Sequence, residues 1–132
     1  MDKIRIEPQT IKSVWGFVRP KLMVILKKSP EDWIPEDVYT ACVTGQATMW
    51  IATNKVEPKG FIVVRILNVN TLHIWVGYAN TEFKEVRQWE IIEEIARECN
   101  CSKISFESWR KGWCKKAMKL GFSPRTYIKE LS

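Results

Sequence analysis

Few residues in this chain are placed to do chemistry. The single histidine, His73, lies between Leu72 and Ile74 in an alternating apolar stretch, so its ring faces away from that apolar pair. It suits either a base beside a cleft or a tolerated strand position. Glu107 follows the alternating run at 104–106 and is the carboxylate best placed as a general base; the rival reading is an outward-facing strand residue. The four cysteines, Cys42, Cys99, Cys101 and Cys114, show neither a CxxC spacing nor a paired metal pattern. With one imidazole to join them, they read as reduced structural thiols in a reducing compartment rather than as a zinc site. Lys111, Lys115 and Lys119 are four apart and share a helical face, with Lys116 beside them. Such a row reads as a solvated face or a protein contact, and as a phosphate-binding strip if nucleic acid is the partner.

Elements that position these residues follow from pattern. The 132 residues suffice for one domain with its own core, spanning 1–132. Hydrophobic residues at 45% and charged residues at 27% are ordinary globular values. No apolar run approaches the roughly 20 residues of a membrane span, and the start of the chain lacks the apolar core of a secretion signal, so the expectation is a protein that stays where it is made. The net charge of +6 is uneven: residues 103–132 hold eight of the 21 basic residues and two of the 15 acidic ones. That excess suits an acidic partner, phosphate groups or a solvated face.

A short strand at 4–6 ends at Pro8, and Thr10 is the expected cap of a helix to about Lys28, which Pro20 is expected to kink or divide. Pro35 opens a second helix over 36–44, ended by Gly45. Residues 48–53, 60–67 and 72–78 are rich in Ile, Val, Trp and Thr and read as an antiparallel meander. Over 83–99, Ile91, Ile92, Ile95, Ala96 and Cys99 form one stripe with glutamates largely opposite, which predicts a helix covering a sheet. A strand at 104–106, a helix at 109–120 and a last strand near Tyr127, Ile128 and Leu131 complete the order β-α-α-β-β-β-α-β-α-β. The helix crossing from the fourth strand to the fifth predicts parallel pairing there. The class is α/β (α+β), with a mixed, mostly antiparallel central sheet flanked by helices.

That order, together with the run Ala117-Met118-Lys119-Leu120-Gly121-Phe122, resembles the GNAT acetyltransferases across nearly the whole chain. The resemblance implies acetyl-CoA as cofactor, held through its pyrophosphate by a Gln/Arg-x-x-Gly-x-Gly/Ala loop at a helix N-terminus. Setting Ile91-Ile92 on that helix's paired aliphatics puts Phe83 at the Gln/Arg position and Val86 and Gln88 at the glycine positions, where side chains crowd the phosphate path. The tyrosine that often serves as general acid falls on Ala117. An active enzyme would therefore rely on Glu107 and Tyr127 for proton transfer, and on Tyr78, Ala79, Val86, Arg87 and Gln88 for the cofactor.

A closer likeness runs through Ile34-Pro35-Glu36-Asp37-Val38-Tyr39, Gly45, Met49-Trp50 and Trp109-Arg110-Lys111-Gly112-Trp113. These stretches are similar to small GNAT-like proteins of tailed bacteriophages, several of them virion-associated. This resemblance implies a non-catalytic virion or assembly component without a cofactor, whose partners are other phage proteins or a second copy of the chain, in the virion or the host cytoplasm. An acetyl-CoA-dependent N-acetyltransferase is the alternative, and a nucleic-acid-binding accessory protein the second. Seven tryptophans exceed the needs of a small core, and Trp33 and Trp89, which fall off their elements' apolar stripes, are the expected interface aromatics beside the Lys111, Lys115 and Lys119 row.

Overall fold

The computed structural model describes residues 2–28, 30–54, 57–79, 85–106 and 127–131. Its described elements are strand β1 (Asp2–Ile6), a 3-10 turn (Pro8–Thr10), helices α1 (Ile11–Lys28) and α2 (Pro35–Val43), strands β2 (Thr48–Thr53), β3 (Pro58–Leu67) and β4 (Thr71–Ala79), helix α3 (Glu85–Glu98), and strands β5 (Lys103–Phe106) and β6 (Tyr127–Glu130). The strands are hydrogen-bonded in the order β1-β2-β3-β4-β5-β6. Pairing is antiparallel for β1 with β2 and for β5 with β6. The links 54–57 and 68–70 are too short for a crossover, so β2, β3 and β4 form the expected meander. Between β4 and β5 the pairing is parallel, Thr71↔Lys103 to Ile74↔Phe106, as the intervening helix predicted. The helix expected at 109–120 lies outside the described residues.

Two compact units divide the chain: Met1–Val63 with Val76–Phe83, and Val64–Trp75 with Lys84–Ser132. In the first, α1 buries Ile11, Val18 and Leu22 along one stripe. Pro20 does not divide this helix, one of the two outcomes expected of it. Its ring and missing N–H affect the carbonyl of Gly16, four residues back, and both residues are exposed, so that carbonyl can be solvated instead. Thr10 does not cap α1 as expected either. Its N–H donates to the Glu7 carbonyl at 2.9 Å, closing the 3-10 turn, and its hydroxyl donates to the same carbonyl at 2.8 Å. Helix α2 starts with Pro35 at its first position and with the Ile34 N–H donating to the Asp37 carboxylate at 2.9 Å. Gly45, at φ +81°, ends it in the left-handed conformation that glycine adopts without penalty. Arg19 meets Glu36 at 3.2 Å, and Trp15 packs edge-on against Tyr39 at 5.0 Å.

The core of the second unit is Leu72, Ile95, Ala96 and Ile104, all fully buried, with Val64 and Ile91 beside them in the burial order. Helix α3 supplies Ile91, Ile95 and Ala96 from the stripe read in the sequence. The turn between β3 and β4 holds Asn68 at φ 52° and Val69 at φ 70°. A β-branched residue there carries strain on the order of 1–3 kcal/mol.

Candidate functional site

Each unit holds one cluster in which a cation meets aromatic rings. In the first unit, Phe17 comes from α1, Phe61 from β3 and Tyr78 from the end of β4. Phe61 and Tyr78 stack at 5.9 Å between centroids, and Phe17 meets each of them edge-on, at 6.3 and 6.4 Å. The ammonium of Lys21, one turn after Phe17, sits 5.6 Å from the Phe17 centroid and 5.4 Å from that of Tyr78. Gly60 lets β3 pass this point, because a Cβ there would lie 2.6 Å from the Tyr78 carbonyl oxygen. Tyr78 and Ala79, both expected in the cofactor cradle, are half-buried, and the Tyr78 ring is engaged in the cluster.

In the second unit, His73 and Ser105 face each other in the parallel register of β4 and β5. His73 Nδ1 and Ser105 Oγ lie 2.8 Å apart; in one tautomer the hydroxyl donates, in the other the ring N–H does. Ser105 is buried and His73 half-buried. Two residues along β4, on the same face, Trp75 carries the guanidinium of Arg65 at 3.8 Å from its ring centroid. The Arg65 Nε is buried and has no hydrogen-bond partner.

The other sequence-derived candidates fall as follows. Val86, Arg87 and Gln88 lie in the first turn of α3, which begins at Glu85, so both positions matched to the glycines are helical. The first four N–H groups of a helix lack intrahelical acceptors, and those of α3 are the donors an anion would meet here. Tyr127 opens β6 opposite Phe106. Glu107, Lys111, Lys115, Lys119 and Ala117 lie outside the described residues. Trp33 is half-buried ahead of α2, and Trp89 is half-buried against Phe106, with ring centroids 5.8 Å apart. No trio of metal-ligating side chains occurs among the described residues. Burial pushes the Cys42 thiol up to about 11, and burial followed by the neighbouring Cys99 raises that of Cys101, so neither is an activated nucleophile. Sequence reading missed the Arg65–Trp75 stack and the Ser105 partner of His73, because both depend on cross-strand register.

No family model and no curated protein matches the sequence. Solved structures do match in three dimensions. An acetyltransferase of the GNAT family from Staphylococcus aureus Mu50 superposes with a TM-score of 0.68 at 14% identity, over 99% of this chain and 100% of its own. Tetrahymena GCN5 gives 0.75 at 9% identity, over 100% and 97%. The PaiA N-acetyltransferase of Thermoplasma acidophilum, in complex with coenzyme A, gives 0.62 at 15%, over 98% and 99%. The fold is GNAT-like. At these identities the likeness establishes the GNAT-like architecture alone, and what the chain does with it rests on its own residues.

Proposed function

We propose that this chain is a GNAT-like domain that acts by macromolecular contact rather than by acetyl transfer. The observation that carries this reading is the start of α3. A cofactor's pyrophosphate needs close backbone approach at that helix N-terminus, and glycine is the residue that permits it. Here no glycine occurs between Gly77 and Gly112, and Val86 and Gln88 occupy the helical first turn where the GNAT pattern has its glycines. The residues present therefore do not fit acetyl-CoA. Ala117, at the position of the usual tyrosine acid, agrees with this.

The partners proposed are other proteins of a tailed bacteriophage, in a virion-associated or assembly role in the virion or host cytoplasm. Support for that part is the sequence likeness through Ile34-Pro35-Glu36-Asp37-Val38-Tyr39 and Trp109-Arg110-Lys111-Gly112-Trp113. Trp33 and the lysines 111, 115 and 119 are the contact residues proposed. Trp89, half-buried with its ring against Phe106, is proposed with them.

A second reading is favoured by one observation: the chain superposes over nearly its full length on proteins described as acetyltransferases, one of them holding coenzyme A. In that reading Glu107 is the general base and residues 78–88 hold acetyl-CoA. Isothermal titration with acetyl-CoA and with free CoA separates the two. The contact reading predicts no saturable heat and no thermal stabilisation, whereas stoichiometric micromolar binding abolished by Gln88→Glu establishes the enzyme reading.

A further inference from the structure

Arg65 is the least satisfied charged group among the described residues of the second unit. A guanidinium carries five N–H donors in a flat fork and is never deprotonated at ordinary pH. Stacking on Trp75 at 3.8 Å engages its face and leaves the in-plane edge for hydrogen bonds. Nε is buried without an acceptor, and no carboxylate among the described residues pairs with the group. A buried donor left unpaired costs about 1–3 kcal/mol, and native chains satisfy nearly all such groups. An arginine held this way is oriented toward a partner that none of the described residues provides.

The surroundings narrow what that partner is. Trp75 and His73 are two residues apart on β4 and share a sheet face, about 7 Å apart at the backbone. The His73–Ser105 pair lies on the same face, since the two are bonded at 2.8 Å across the register of β4 and β5. Either neutral tautomer leaves the pair one outward donor: with Nδ1–H donating to Oγ it is the Ser105 hydroxyl, and with the hydroxyl donating to Nδ1 it is the His73 Nε2–H. The face thus combines a fixed cation with one further donor from the His73–Ser105 pair, and none of these four residues is acidic. Trp75 already has one ring face covered by the guanidinium, so recognition runs through the fork's edge rather than through stacking of a base on the indole. Planar carboxylates and phosphates match that edge with paired N–H···O bonds.

We propose that Arg65, with His73 and Ser105, binds a small oxyanion, the carboxylate or phosphate group of a small molecule, on this face of β3, β4 and β5. This site is independent of the acetyl-CoA question, since none of its residues belongs to the matched cofactor positions.

Magnetic resonance on the full, isotope-labelled chain tests the proposal with two reporters. One is the Arg65 Nε–H correlation, assigned by its loss in Arg65→Lys; the other is the imidazole of His73, unambiguous because the chain has one histidine. Sodium phosphate and sodium acetate are titrated separately, with chloride holding ionic strength constant. The expected result is saturable movement of both reporters with one dissociation constant. Saturation by phosphate alone assigns a phosphate ligand, and saturation by acetate alone assigns a carboxylate. In Arg65→Lys, which keeps the charge but loses the fork, the His73 curve should shift to about tenfold weaker binding, as loss of one paired contact implies. Failure of both anions to saturate, different constants for the two reporters, or an unchanged His73 curve in Arg65→Lys would overturn the site.

Discussion

Lys21 and Arg65 both lie against aromatic rings, yet the two arrangements leave the protein in different conditions. Lys21 is a point charge on a flexible stem, set 5.4–5.6 Å from two rings, and its ammonium can turn its donors outward while the stem covers apolar surface. Arg65 is a rigid fork at 3.8 Å from one ring, with a buried donor it cannot turn away. The first cluster is a finished piece of packing around Phe61. The second leaves one buried donor without an acceptor among the described residues, and such sites are where function is to be sought.

Removing the centre of the first cluster should have the largest effect. Phe61→Ala deletes a ring that is 4% exposed and touches both Phe17 and Tyr78, so a loss of about 3–5 kcal/mol is expected in urea denaturation. A loss under about 1 kcal/mol would mean that the stack is not a structural core.

The next prediction tests burial in the first unit away from its aromatic cluster. Cys42 has its thiol pushed from 9.0 up to about 11 by burial, so the unfolded chain ionises first as pH rises. Its contribution is present in full below pH 9 and is lost as pH rises from about 9 to about 11, a change on the order of 2 kcal/mol. Denaturation of the wild type and Cys42→Ala at both ends of this window should show that difference, and parallel pH profiles would contradict it.

The comparison sharpens with one substitution in each cluster. Arg65→Met removes the orphaned donor while keeping a side chain on Trp75, and should raise stability by about 1 kcal/mol in the absence of added anions. Lys21→Met has no buried orphan to relieve and should change stability by less than about 0.5 kcal/mol. Equal effects in urea titrations would erase the distinction drawn between the two cations.

What the sequence made legible follows from how far each signal reaches along the chain. β2 was placed at its observed bounds, 48–53, because alternation and a following turn are local. The Ile91, Ile95 and Ala96 stripe predicted the covering helix α3, and the crossover helix predicted parallel pairing of β4 and β5. Pro20 was read only in part, because whether a proline divides a helix depends on whether the carbonyl four residues back can reach solvent, and Gly16 can. Thr10 misled because it sits inside the preceding 3-10 turn, hydrogen-bonded to Glu7, rather than in the extended conformation of an N-cap. His73 was visible as a residue but not as a pair, since Ser105 is 32 positions away and joins it only through register. Arg65 carried no sequence signal at all: a lone arginine near the end of a strand is ordinary until Trp75 is found beneath it.

The proposal that the N-terminus of α3 does not serve coenzyme A is tested most directly by following the backbone amides of residues 85–88 by magnetic resonance as acetyl-CoA is added. The account predicts that these four amides stay in place at every concentration. Saturable shifts confined to them, at micromolar cofactor, would contradict it and return the chain to the acetyltransferases.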